Sequence, residues 1–326
     1  MKILILTITK QCYFKVSQKR TLKRLLIAVC TGLIFCSANT LYAQTMPTVN
    51  VGQVQRLENF PSTFVDARHV DIWLPDGYSP AKHYNVLYMH DGQGLFDAST
   101  TWNKQAWNVH IAIDQLVKQG RIGDTIVVGV WNNGKFRRTE YFPQKYLEFI
   151  TPIKRNQFIQ AELTGAPLSD RYLQFLVQEL KPYIDTHFST YPDRAHTFMM
   201  GSSMGGLISI YAISEYPDVF GGVAALSTHW IGGSVNNTEL PLAAFSYLQQ
   251  HLASPENHRI YMDHGTRGLD AFYAPSQGFV DAIFKDRGYS EAQVKSIVID
   301  GADHNERDWS ARLEAPLVFL LGGGQK

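Results

Sequence analysis

A serine hydroxyl attacks an ester only when a base takes its proton and a third group holds that base. Residues of those three types follow one another in the order Ser203, Asp270, His304. Ser203 is the centre of Gly201-Ser202-Ser203-Met204-Gly205, and its flanks read as a strand, a sharp turn and a helix. Thr197 to Met200 is a short apolar run, and Leu207, Ile208, Ile210 and Tyr211 recur at helical spacing until Pro217. Glycines at 201, 205 and 206 leave room for a turn that lifts the hydroxyl out of the sheet. Three fixed positions alone would match by chance about 0.1 times in a chain of this length, so the setting carries the weight.

Of the histidines beyond Ser203, His304 has the setting of a base. It follows Lys295 to Ile299 in the loop Asp300-Gly301-Ala302-Asp303 and precedes a helical run from Arg307, where a loop side chain can swing over the nucleophile. His229 and His264 also follow strands, where substrate contacts or the acid are expected. Two carboxylates compete for the acid: Asp263 at the end of Arg259 to Asp263, and Asp270 in the following loop, whose reach to the far nitrogen of His304 favours it. Asp300 and Asp303 are left to structural roles. Oxyanion donors are expected from main-chain amides. Met204 directly follows the nucleophile, and the turn His90-Asp91-Gly92-Gln93-Gly94 offers Gln93, with Gly92 next. A tight turn with Asp91 capping local backbone is the alternative for that loop.

These residues need a scaffold, and strand-like runs alternate with helical ones as in βαβ units. His69 to Leu74, Asn85 to Met89, Thr125 to Val130, Thr197 to Met200, Gly222 to Leu226, Arg259 to Asp263 and Lys295 to Ile299 read as strands. Thr101 to Gln119, Ser169 to Thr186, Met204 to Tyr216, Ala271 to Gly288 and Arg307 to Leu321 read as helices. The pattern predicts an α/β fold, a mostly parallel central sheet flanked by helices on both faces, with chemistry at the carboxyl ends of the strands. No linker, repeat or composition shift divides the chain, so one domain is expected over residues 44–326.

With 326 residues, 45% hydrophobic, 18% charged and formal net charge +1, the chain has ample core and no charge excess pointing to a nucleic-acid partner. Residues 1–43 read as a targeting segment: Lys19, Arg20, Lys23 and Arg24 precede the apolar run Leu25 to Cys36, with a cleavage site expected after Ala43. That run falls short of the roughly 20 residues that span a bilayer, so an exported periplasmic or secreted protein with no membrane span after cleavage is expected. Cys12, Cys30 and Cys36 all lie in the segment to be removed, leaving a mature chain without a thiol nucleophile, thiolate metal site or disulfide.

Five stretches together resemble the esterase D-like branch of the α/β-hydrolases, which includes feruloyl and acetylxylan esterases, mycolyltransferases and the siderophore trilactone esterases. They are Leu87 to Gln93, Asn132 to Pro143 with Arg138-Thr139-Glu140-Tyr141, Gly201 to Gly206, Asp263 to Tyr273 and His304 to Trp309. The trilactone esterases are the group most resembled. The resemblance implies the α/β-hydrolase fold and a Ser-His-acid esterase without metal or organic cofactor. It carries Ser203 over as nucleophile, His304 as base and Asp270 as acid. His90 departs from the apolar residue common before Asp-Gly, and reliance on a Ser-His pair in some trilactone esterases leaves the acid open.

For the substrate, a small-molecule or glycan-linked ester, Arg138 with Arg137, His229 and Trp230 are candidates for the mouth of the cleft. An Arg138–Glu140 ion pair is the structural alternative. Trp102, Trp107 and Trp309 read as core or rim packing, and 143–168 as a lid or a surface excursion. Competing functions are a metal site from Asp300, Asp303, His304 and Glu306, against which the lack of an H-E-x-x-H pattern speaks, a silent binding module on the same scaffold, and an acyltransferase using an alcohol in place of water.

Overall fold

The computed structural model describes residues 45–323, so the expected targeting segment lies outside the described residues. One eight-stranded sheet organises the fold: β1 (Gln53–Phe60), β2 (Arg68–Leu74), β3 (Asn85–His90), β4 (Thr125–Val130), β5 (Thr197–Ser202), β6 (Gly222–Leu226), β7 (Arg259–Gly265) and β8 (Val294–Ile299). Their spatial order is β1-β2-β4-β3-β5-β6-β7-β8. The β1–β2 and β2–β4 pairs are antiparallel and every pair from β4 to β8 is parallel. This is the expected mostly parallel sheet.

The helices are α1 (Val109–Lys118), α2 (Arg137–Tyr141), α3 (Pro152–Glu162), α4 (Ser169–Gln174), α5 (Lys181–His187), α6 (Met204–Glu215), α7 (Glu239–His251), α8 (Ala274–Asp286), α9 (Glu306–Ser310) and α10 (Glu314–Leu321). Successive strand residues point to opposite faces, and both faces are buried. Val86 and Tyr88 of β3, Val128 of β4, Met199 of β5 and Met262 of β7 join one core with Leu207 of α6, Tyr247 of α7 and Val280 of α8. Leu87, Val127, Met200 and Tyr261, one residue out of step, join the other with Ile113 of α1 and Leu317 of α10. Because the two faces need different partners, a slip of one residue in any central strand would exchange them.

Two expectations shift. Strand β1 was not anticipated: Gln-Val-Gln-Arg-Leu-Glu-Asn-Phe is an edge strand, half exposed and with a register irregularity between Leu57 and Phe60, so it lacks an apolar run. Helix α1 begins at Val109, not Thr101, because Asn108 in the left-handed region (φ 53°) breaks the backbone before it. The 143–168 segment, read as a lid or a surface excursion, carries the mostly exposed helix α3. Thr151 caps α3 by accepting from the Lys154 N–H, and Phe158 is buried against Phe142 with ring centroids 4.5 Å apart.

Candidate active site

Ser203 sits between the last residue of β5 and the first of α6 with φ 56° and ψ −121°, a conformation costly for any residue with a Cβ. The turn is fastened on both sides. The Ser203 N–H donates to the Leu226 carbonyl at 2.9 Å, and its own carbonyl accepts from the N–H groups of Leu207 and His229, both at 3.1 Å. Helix and sheet approach so closely that a Cβ on Gly201 would lie 2.7 Å from the Gly205 carbonyl carbon and 2.9 Å from His90 Cδ2.

The candidate base comes from the β7–β8 side of the sheet. Asp270 lies in the turn after β7 and His304 in the loop after β8, and His304 Nδ1 is 2.6 Å from Asp270 Oδ1. The other carboxylate oxygen of Asp270 accepts from the Ser227 hydroxyl and from the Gly265 N–H, each at 2.6 Å. Burial would raise this carboxyl, but the bonds from His304, Ser227 and Gly265 outweigh it and hold Asp270 below its ordinary value. It is an anion in an otherwise inaccessible position, fitted to orient an imidazole. Of the two carboxylates weighed for this place, the structure brings Asp270 to His304. Asp263 instead accepts from Arg312 Nη2 at 3.0 Å and from the Tyr261 hydroxyl at 3.2 Å, and burial raises its pKa against the pull of that arginine. Among the described residues no hydrogen bond joins Ser203 to His304, a contact that commonly closes only around a bound substrate.

Ser227 is a residue of the candidate site that the sequence reading missed. It is fully buried with φ 46°. While donating to Asp270, its hydroxyl accepts from Trp309 Nε1 at 2.9 Å and Arg312 Nη2 at 2.7 Å, so Asp270 is held by a shell reaching into α9 and the turn that follows it. Its only sequence signal is a polar Ser-Thr-His run at the end of a buried strand. Tyr273 was also missed as an individual residue. It is buried, its hydroxyl lies 2.8 Å from His229 Nδ1, and its ring stands edge-on to His304 with centroids 5.8 Å apart.

On the opposite side of Ser203, Asp91 has φ 56° and its carboxylate is gripped by Arg137 through two bonds of 2.7 Å and by Asn132 Nδ2 at 2.7 Å. Burial would raise the Asp91 carboxyl, yet Arg137 and Asn132 hold it below its ordinary value. Gly92 is buried against β4, where a Cβ would lie 2.4 Å from the Gly129 carbonyl, so the loop is pressed onto the strand beside it. The main-chain N–H groups of Gln93 and Met204 have no hydrogen-bond acceptor among the described residues, while the Gln93 side chain accepts from the Asn132 N–H at 3.2 Å. Two unused donors therefore flank the elbow.

The residues considered for substrate are placed less uniformly. Arg138 donates to the Gly232 carbonyl at 3.0 Å and pairs with Glu162 at 3.5 Å. The alternative Arg138–Glu140 pair does not form, because Glu140 is buried in a two-bond pair with Arg68 at 2.7 and 2.8 Å. Trp230 is not at a cleft mouth: it is 1% exposed, with its N–H on Gln277 Oε1 at 3.0 Å. Trp107 and Trp309 are buried and stacked at 5.5 Å, as core packing. Trp102 instead is 92% exposed, on a loop tied to the start of α9 by the Asn103–Glu306 bond of 2.8 Å. Glu306 is thus engaged by Asn103, Asp300 accepts from Thr266, and Asp303 accepts from the His304 N–H. Among the described residues no three His, Cys, Asp or Glu side chains converge as a metal site.

The strand order and elbow are those of the α/β-hydrolase fold, and comparison with known proteins agrees. The family model described as "Putative esterase" matches residues 62–320. A curated relative, Uncharacterized protein YjcH of Bacillus subtilis, is 24% identical over 179 residues, 55% of this chain and 62% of that protein; the match thus spans less than two thirds of its length. Among solved structures, a ferulic acid esterase superposes with TM-score 0.61 at 18% identity, over 83% of this chain and 98% of that one. The enterobactin esterase FES from Shigella flexneri, with 2,3-di-hydroxy-N-benzoyl-serine, superposes with TM-score 0.60 at 17% identity, over 85% of this chain and 60% of that one.

Proposed function

The chain belongs to the Putative esterase family, and from that premise we propose that it is an ester hydrolase that cleaves carboxylic esters through an acyl-enzyme on Ser203. His304 takes the Ser203 proton during attack and returns it to the leaving alcohol. Asp270 fixes the tautomer of His304 by accepting its Nδ1–H and stabilises the imidazolium. The Gln93 and Met204 amides receive the oxyanion, and water then repeats the sequence to release the acid. The observation that carries this reading is the 2.6 Å bond between His304 Nδ1 and an otherwise inaccessible Asp270, in a chain whose Ser203 stands at φ 56° on the strand–helix turn.

For the substrate we favour esters of hydroxylated aromatic acids, as in the trilactone siderophores, with the feruloyl or acetylxylan esters of plant polysaccharide as the second class. Support comes from the neighbours' own descriptions, ferulic acid and a dihydroxybenzoyl-serine ligand, and from the apolar surface of Trp102, Phe272 and Leu269, which are 92%, 61% and 36% exposed around the loops carrying Asp270 and His304. Such surfaces accept aromatic rings without fixing their substituents. The test is a fluorophosphonate probe followed by competition among trilactone, feruloyl, acetyl-sugar and p-nitrophenyl esters. Labelling that persists in Ser203→Ala would overturn the nucleophile, and equal specificity constants across the panel would overturn the substrate class.

No helix among the described residues is long and apolar enough to cross a membrane. Export belongs to the same proposal and rests on the apolar and basic pattern of residues 1–43. Sequencing the amino terminus of the protein from fractionated cells tests it: an intact Met1 on a cytoplasmic product refutes export.

A further inference from the structure

Tyr273 and His229 form a buried pair beside the nucleophile, and the hydrogen bonds around them fix which way the tyrosine proton points. His229 Nε2 lies 2.9 Å from the Gly233 carbonyl oxygen. A carbonyl can only accept, so Nε2 carries the ring proton. His229 Nδ1 lies 2.8 Å from the Tyr273 hydroxyl. In the neutral imidazole this second nitrogen has a lone pair and no proton, so the phenol must donate to it. Burial supports the neutral form, lowering His229 to about 4. With its proton committed, the Tyr273 oxygen offers only lone pairs to whatever else reaches it.

The residues of the pair are tied by their backbones to the proposed catalytic centre. The Tyr273 N–H donates to the Asp270 carbonyl at 3.0 Å, the His229 N–H donates to the Ser203 carbonyl at 3.1 Å, and the Tyr273 ring stands edge-on to His304. The phenol is thus tied by its own backbone to the acid and by its partner's backbone to the nucleophile. Burial and the Asp270 charge raise the pKa of the phenol, and the neighbouring Ser203 side chain opposes them.

We propose that Tyr273, with its proton held by His229, is the acceptor for the second O–H of the attacking water and so biases the acyl-enzyme toward hydrolysis over transfer to alcohols. The proposal rests on the Ser203 acyl-enzyme. In deacylation the water oxygen bonds to the acyl carbon and one water proton passes to His304 Nε2. The tetrahedral intermediate then expels Ser203 Oγ, which takes that proton back from His304. The second water O–H stays on the product acid and donates to Tyr273 throughout. Water has two O–H donors for the two acceptors, whereas a simple alcohol has one and leaves the tyrosine oxygen unmatched in a closed site.

The experiment is partitioning of the acetyl-enzyme from p-nitrophenyl acetate in water containing methanol, reading methyl acetate against acetate for wild type, Tyr273→Phe and His229→Leu. The ratio is a property of each turnover, so it does not depend on how much of a variant folds. A shift of about tenfold toward methyl acetate is expected for Tyr273→Phe, the worth of one hydrogen bond to water in the transition state. His229→Leu should move it the same way, because the freed phenol proton can then compete as a donor. An unchanged ratio in a Tyr273→Phe enzyme that still labels with fluorophosphonate overturns the proposal and leaves Ser203 in place. A wild type that neither labels nor hydrolyses overturns the acyl-enzyme reading and this inference with it.

Discussion

Acidification from pH 7 to pH 5 should destabilise this protein through histidines that are buried as neutral rings, His90, His110 and His229. His90 is 3% exposed with Nδ1 at 2.9 Å from the Tyr172 hydroxyl, and His229 is 7% exposed between Tyr273 and Gly233. Burial is the leading cause that lowers all three from 6.5 to about 4. Between those values the unfolded chain binds protons that the folded chain refuses. Their contribution is therefore full above about 6.5 and lost as pH falls toward 4. Moving from pH 7 to pH 5 should remove about 2 kcal/mol for each ring. Asp91 and Asp270, whose pKa values are lowered from 3.8, act below this window and do not confuse it. Urea unfolding followed by tryptophan fluorescence at pH 5, 6 and 7 measures the loss, with His90→Leu as the diagnostic variant. That variant is less stable throughout, because Tyr172 loses its hydrogen-bond partner, but its loss between pH 7 and pH 5 should shrink by about 2 kcal/mol. A variant with the wild-type pH dependence would refute the assignment of a neutral, depressed His90.

Other outcomes follow from the site. Asp270→Asn should lower kcat by roughly a thousandfold or more with KM little changed, since an amide no longer fixes the tautomer of His304; steady-state kinetics on p-nitrophenyl acetate decide it. Ser227→Ala strips an acceptor from two buried donors and a donor from Asp270, so a stability loss of about 2 to 4 kcal/mol in urea unfolding is expected, together with a fall in kcat. Gln93→Ala should keep kcat within about fivefold, because the proposed donor is the main-chain amide; a hundredfold loss would mean that the side chain does the work. Gly92→Ala should yield little folded protein, because its Cβ would fall 2.4 Å from the Gly129 carbonyl, and circular dichroism with soluble yield reads that directly.

Much of this could be read from residue order. The seven strand-like runs all became strands, because a parallel sheet buried on both faces demands continuous apolar segments that stand out against loops. Ser203 and His304 stood out as candidates for a related reason: each is a polar group in the turn or loop that follows such a run. Strand β1 was hidden because an edge strand needs no apolar continuity. Trp230 misled because position after a strand does not reveal which way a side chain turns, and here it turns inward onto Gln277. The Arg138–Glu140 pair was suggested by nearness in sequence and lost to Arg68, which lies 72 residues from Glu140 in the chain. Ser227, Arg312 and Tyr273 were invisible as a group, since their roles arise from bonds spanning 43 and 85 residues that no local pattern encodes.

The shell around Ser227 has a consequence for synthesis on the ribosome. The elbow and its strand are translated by residue 203, but the imidazole and the two donors that complete the Ser227 cluster, Trp309 and Arg312, come about a hundred residues later. A nascent chain can therefore hold a formed sheet centre with a serine that has neither its proposed base nor an ordered partner acid. Catalytic competence should arrive in one late step, when α9 and α10 leave the exit tunnel and close over β6 and β7. A chain stalled before Trp309 would carry an inert nucleophile.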